Sequence, residues 1–107
     1  YAKQALISAG SPSAIFSNIV QMDSVSGAIA MLETQNVDYA IIYKTDVINS
    51  NKLRIAYEFN ESTHSKIEYS FARISDQSSK KTEDFFKFLK GKDTMAIFEK
   101  FGFKLIH

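Results

Sequence analysis

The 107-residue chain contains no cysteine and no tryptophan, and only one proline and four glycines. The absence of cysteine removes disulfides, thiol nucleophiles and thiolate metal sites, and it leaves the redox compartment open. No apolar run approaches the roughly 18 residues that a membrane span needs. Neither sign of charge prevails: 13 Lys and Arg stand against 12 Asp and Glu, for a formal net charge of +1. A balance this even exerts no bulk pull toward nucleic acid or an anionic membrane. No signal peptide is visible, but the chain opens at Tyr1 without a Met, so that observation says nothing about export.

What is present suits one modest domain with a packed core, since 45% of the residues are hydrophobic. The charge is uneven along the chain. Residues 80–107 carry seven lysines against Glu83, Asp84, Asp93 and Glu99, for +3, whereas residues 1–79 carry six basic and eight acidic groups, for −2. Gly10, Gly91 and Gly102 each follow a helical stretch and suit a left-handed cap. Residues 1–9 read as a helix. Ser11 and Pro12 read as the N-cap and first position of a short helix over 12–18. Asp23 or Ser24 caps a helix reaching about Gln35, with Val25, Ile29 and Leu32 on one face and Gly27 marking close packing or a nearby ligand. Strands are expected over 19–22, 38–43, 54–59 and 66–74. The last two place Ile55, Tyr57 and Phe59, then Ile67, Tyr69 and Phe71, on single faces. A polar turn or short helix covers 44–51, and polar loops cover 60–65 and 75–81. Two final helices, about 82–90 and 93–101, turn Phe85, Phe88 and Leu89, then Ile97, Phe98 and Phe101, inward. Helices alternating with short strands indicate an α/β fold.

Little of this carries catalytic chemistry. There is no G-x-S-x-G element and no phosphate-cradling glycine loop. His64 lies in a polar loop and His107 ends the chain, and both read as solvated. Glu58, Glu61 and Glu68 have no partner spacing for acid–base work or for a metal. Asn60-Glu61-Ser62 is a formal glycosylation triplet of a kind that chance often produces. The tail FFKFLKGK places its aromatics three apart, which fits the inner face of an amphipathic helix better than a nucleic-acid stripe. One constellation remains. A helix begins near 23–27, and Tyr43 closes the apolar run YAIIY. First-turn amides carry partial positive charge and suit an oxyanion, and a phenol at a neighbouring strand end adds a neutral donor. Spacing alone favours the plainer alternative, in which Tyr43 only extends its hydroxyl to water.

The stretches YAKQAL, VSGAIAMLETQNVDYAIIYKTD, IEYSFARI and FFKFLKG…AIFEKFGF span the chain in an order and spacing that resemble the C-terminal half of the periplasmic molybdate-binding proteins of bacterial ABC transporters. The resemblance implies a lobe of the type II periplasmic binding protein kind, with a mixed sheet flanked by helices, present as a C-terminal fragment. It implies that residues 1–68 are the second half of the oxyanion-binding lobe two. Residues 69–107 are then the return crossing and the C-terminal helices that pack on lobe one. It places two oxyanion donors here, the backbone N–H of Val25 and the hydroxyl of Tyr43, while the family's serine ligands belong to the other lobe. Lys44 is expected to alternate away from the cleft and is not counted as a ligand.

The function so implied is the solute-binding component of an ABC transporter, periplasmic, or extracellular and membrane-anchored. It takes up molybdate or tungstate and hands it to an inner-membrane permease. It is not an enzyme, uses no metal or cofactor beyond the anion, and binds no nucleic acid. As a fragment it is expected to bind its anion weakly or not at all and to associate with itself. The alternatives are the effector-sensing domain of a transcription regulator with the same fold, or a salt-sensitive interaction module acting through the lysine-rich tail.

Overall fold

The computed structural model describes residues 1–75 and 79–106. Among the described residues five α-helices run in order: α1 (Ala2–Ser8), α2 (Val25–Glu33), α3 (Lys44–Val47), α4 (Lys80–Leu89) and α5 (Lys92–Lys100). Short 3₁₀ segments cover Ser13–Asn18 and Glu61–Thr63. Every helix expected from the pattern forms, with ends displaced by one or two residues, except that the turn or short helix expected over 44–51 is helical only over Lys44–Val47. The short helix over 12–18 is 3₁₀ and starts one residue late, with Pro12 as its cap. The loop expected over 75–81 falls partly outside the described residues, and α4 already begins at Lys80. His107 also lies outside them. The chain divides into two compact units, Tyr1–Ile67 and Glu68–His107.

Within the first unit, α1 packs on the Glu61–Thr63 turn. Gln4 Oε1 accepts the Ser65 N–H at 2.8 Å, and the rings of Tyr1 and His64 meet edge-on at 6.1 Å. Ala5 and Leu6 are the buried apolar side chains among the described residues. α1 ends in a Schellman motif: Gly10, at φ +75°, donates to the Ile7 carbonyl at 3.0 Å, and Ser11 donates to that of Leu6 at 3.1 Å. α2 ends in the same way, with Gln35 donating to Leu32 at 3.1 Å and Asn36 to Met31 at 2.9 Å, but here Gln35 holds φ +59°. A side chain with a Cβ is strained in the left-handed region, where glycine is not. Gln35→Gly is therefore expected to stabilise the protein by about 0.5–1 kcal/mol, measured as a higher denaturant midpoint at unchanged slope. A lowered midpoint would show that the Gln35 side chain contributes more than its backbone costs.

The second unit is tied together by aromatic rings. Tyr69 meets Phe103 at 5.5 Å, Phe103 meets Phe98 at 5.8 Å, and Phe98 meets Phe71 at 5.4 Å. Phe98 and Phe103 also form the apolar contact of a third Schellman motif. In it Gly102, at φ +91°, donates to Glu99 at 3.0 Å and Phe103 donates to Phe98 at 3.0 Å. α4 and α5 pack together, and the buried Thr94 hydroxyl donates to the Phe88 carbonyl at 3.0 Å. Gly91 does not adopt the left-handed cap expected of it; at φ −74° it is the N-cap of α5.

The inward faces of α4 and α5 are also corrected. Phe85 and Phe88 are each 60% exposed, and it is Thr82, Phe86 and Leu89 that are half-buried. The Phe86 ring is covered by Lys90 Nζ at 4.5 Å and by the Arg73 guanidinium at 5.7 Å. On α5, Phe98 is inward as expected, but Ile97 and Phe101 are exposed and Thr94 and Met95 take their place. Helices this rich in aromatics offer two overlapping apolar stripes. Here the Thr94 hydroxyl bond and the ring contacts of Phe98 select between them.

The larger correction concerns the sheet. The α/β fold class with a mixed sheet flanked by helices is not observed, because no β ladder forms among the described residues. The expected strands 19–22, 38–43, 54–59 and 66–74 carry neither helix nor ladder. Tyr39, in the segment expected as the strand 38–43, is 79% exposed. An alternating or continuous apolar pattern states which side chains gain from burial, whereas a ladder also requires a second strand about 4.8 Å away to take the backbone hydrogen bonds. None of these segments has such a neighbour among the described residues. Some of the side chains assigned to shared faces still meet other rings: Tyr57 and Phe59 lie edge-on at 5.3 Å, Tyr69 reaches Phe103 and Phe71 reaches Phe98.

Candidate functional site

The candidate site is built from the start of α2 and the residue that precedes α3, both in the first unit. Ser24, not Asp23, is the N-cap of α2. Its backbone is extended at φ −148°, ψ 157°, and its Oγ accepts the Gly27 N–H at 3.1 Å. That bond occupies the third first-turn amide and leaves those of Val25 and Ser26 without an acceptor among the described residues. Two neighbouring amides at the positive end of a nine-residue helix therefore stand ready for an acceptor, where the resemblance implies only that of Val25. Ser26 was legible in principle: once Ser24 is the cap, the geometry of capping assigns Gly27 to it and leaves both residues between. Gly27 sits close to Met22. A Cβ there would lie 3.1 Å from Met22 Cε, so the end of that flexible side chain would have to give by a few tenths of an ångström, and 3.4 Å from Ser24 Oγ, an ordinary contact.

Tyr43 does not end a strand. It is the N-cap residue of α3, with φ −77° and ψ 143°, and its carbonyl accepts the Asp46 N–H at 3.0 Å. Its side chain is half-buried. Lys44 opens α3 and turns to Glu58, which it meets at 2.8 Å in an exposed ion pair. It is thus engaged by a carboxylate, not by strand alternation as expected. The surroundings of Tyr43 are not uniformly suited to an anion. One turn on, Asp46 Oδ2 is shut from water and has no hydrogen-bond partner among the described residues, and its negative charge opposes that of an oxyanion.

Val25 and Tyr43 thus open two different helices of the same unit. They do not line the concavity described in that unit, which is formed by Tyr57 to Glu61. An apolar groove of about 340 Å³ in the second unit lies between residues 71–74 and α4. Among the described residues no three His, Asp or Glu side chains gather as a metal-holding group, and no helix is long and apolar enough to cross a membrane.

Comparison with known proteins adds a family. The profile of the family described as bacterial extracellular solute-binding protein matches residues 1–104. The molybdate-binding protein ModA of Escherichia coli (strain K12) is 29% identical over 105 residues, covering 98% of this chain and 41% of that protein. The putative ABC transporter substrate-binding lipoprotein YvgL of Bacillus subtilis (strain 168) is 33% identical over 104 residues, covering 96% of this chain and 40% of that one. The ModA protein of Haemophilus influenzae is 23% identical over 103 residues. The chain therefore spans about two fifths of the length of these relatives. No solved structure matches it.

Proposed function

The chain belongs to the bacterial extracellular solute-binding protein family, and from that premise we propose that it forms part of the solute-binding component of an ABC transporter for molybdate or tungstate. In this reading it works outside the inner membrane, in the periplasm or tethered to the cell surface, and passes its anion to a permease. The observation that carries the reading is the match across 98% of the chain to a protein named for molybdate binding. The lipoprotein relative, named only as substrate-binding, supports the transport role without the substrate. The alternative as a regulator's sensing domain takes no support from these relatives.

The proposed chemistry uses neutral donors. The N–H groups of Val25 and Ser26 and the hydroxyl of Tyr43 would approach a tetrahedral dianion as fixed dipoles. Without a cation, affinity rests on donor number and geometry, so the site discriminates by oxygen spacing and cavity size and not by charge alone. Lys44, held by Glu58, takes no part.

The helix start allows a clean test. Val25→Pro removes one N–H at the first helical position, where proline fits. Proline also restricts the residue before it to extended backbone, and Ser24 already has that conformation. The substitution should leave α2 intact by circular dichroism and weaken molybdate binding by about 1 kcal/mol, roughly fivefold, in calorimetric titration of the gene-length protein. Unchanged affinity would remove the Val25 amide from the site.

A further inference from the structure

We infer that Asn60 is an acceptor for asparagine-linked glycosylation, presented by the folded chain in a conformation ready for transfer. The triplet Asn60-Glu61-Ser62 satisfies the acceptor rule of asparagine, any residue but proline, then serine or threonine. Bacterial acceptor sequences add an acidic residue two positions before the asparagine, and Glu58 stands there. Chance explains a triplet more readily than it explains five residues joined to a suitable geometry, and the geometry is the stronger part.

Asn60, Glu61 and Ser62 are all exposed. The Asn60 carboxamide is held by its oxygen: Oδ1 accepts the Ser62 N–H at 2.9 Å and the Ser62 Oγ–H at 2.9 Å. The Asn60 carbonyl accepts the Thr63 hydroxyl at 2.6 Å, which closes the turn. Among the described residues the Nδ2 nitrogen makes no hydrogen bond, so the atom that must react is the unengaged end of an exposed side chain. The Ser62 hydroxyl, by donating to the carboxamide oxygen, holds the side chain with its nitrogen end turned away from the turn. The turn is fixed from below, because the segment packs on α1 and Ser65 N–H donates to Gln4 Oε1 at 2.8 Å. Glu58 is bound to Lys44 at 2.8 Å, but both side chains are more than half exposed, and a surface pair of this kind opens at little cost.

The reaction is a glycosyl transfer from a polyisoprenyl-diphosphate-linked oligosaccharide, supplied with its membrane oligosaccharyltransferase. A bond forms between Asn60 Nδ2 and the anomeric carbon, the anomeric C–O bond to the diphosphate breaks, and Nδ2 loses one proton as the lipid diphosphate departs. No oxidant or metal-borne electron is required. Such enzymes act outside the cytoplasm, where the family to which this chain belongs is placed by its own description.

The test uses the purified chain, native and denatured, with a bacterial oligosaccharyltransferase and its lipid-linked oligosaccharide, read by intact mass and peptide mapping. The native chain should gain one glycan at Asn60. The gain should vanish in Asn60→Gln and Ser62→Ala, persist in Ser62→Thr, and fall at least tenfold in Glu58→Gln. A native chain that stays unmodified while a free peptide of residues 56–64 is glycosylated would overturn the inference, as would a glycan placed elsewhere. Full modification of Glu58→Gln would overturn the role given to Glu58. No anion enters the assay, so its outcome is separate from that of the transport reading.

Discussion

Tyr43→Phe is expected to weaken molybdate binding by about 1–3 kcal/mol, roughly 5- to 150-fold. The substitution deletes a single oxygen. The ring remains to fill the half-buried place that Tyr43 occupies, and the backbone cap of α3 through the Tyr43 carbonyl does not depend on the side chain. The loss falls on the anion, because a hydroxyl donor facing a desolvated charge counts for more than one between neutral groups. Calorimetric titration of the gene-length protein reads the change, and the melting curve guards against a general loss of structure. Equal affinity in the two proteins would remove Tyr43 from the site. The unpartnered Asp46 Oδ2 one turn away adds a sign check. If the anion lies near Tyr43, Asp46→Asn removes a like charge and should tighten binding, the direction opposite to that of Tyr43→Phe.

The second large effect is on stability. Leu6→Ala is expected to lower it by about 2–4 kcal/mol, the range for removing a buried leucine side chain and leaving a cavity. Leu6 is only 8% exposed, and it and Ala5 are the buried apolar side chains among the described residues, so little else can close over the gap. The leucine also stands at the C-terminal end of α1, where its carbonyl accepts the Ser11 N–H of the Schellman turn. Loosening it therefore disturbs both the helix end and the contact of α1 with the Glu61–Thr63 turn. Thermal unfolding followed by circular dichroism measures the effect. A shift of the midpoint smaller than about 4 °C would show that this small core is not what holds the first unit together.

The helices are legible in the sequence, whereas the strands that its pattern suggests pair into no ladder among the described residues. Ser24 and the glycines at 10 and 102 are local signals: each acts on backbone groups three to five residues away, so a single chain contains all the information needed. Strand pairing is non-local. The runs around Tyr39, Tyr57 and Tyr69 record an appetite for burial, yet these tyrosines are 79%, 73% and 64% exposed and no ladder forms among the described residues. The family, too, was readable, because order and spacing of matched stretches survive where periodicity is ambiguous. For the candidate site, the reading placed Val25 at a helix start, where it is found, but put Tyr43 at a strand end, when it precedes a helix. Ser26 was missed because the choice between Asp23 and Ser24 as cap decides which amides are left over, and composition cannot make that choice. The inward faces of α4 and α5 were misjudged for a related reason. With aromatics at 85, 86, 88, 98 and 101, hydropathy cannot separate two adjacent stripes, and the Thr94 hydroxyl bond and the ring contacts of Phe98 accompany the one that is buried.

Only Lys90 and Gly91 separate α4 from α5, one serving as the last cap of the first helix and the other as the first cap of the second. No residue there is spare. Lengthening the junction by a single amino acid would turn the second helix by about 100° about its own axis. That turn would carry Phe98 away from Phe71 and part Thr94 from the Phe88 carbonyl. Substitutions at many surface positions of this hairpin should be absorbed, whereas insertions and deletions at 90–91 should be rejected. A scan of length variants across the hairpin would locate its one incompressible point.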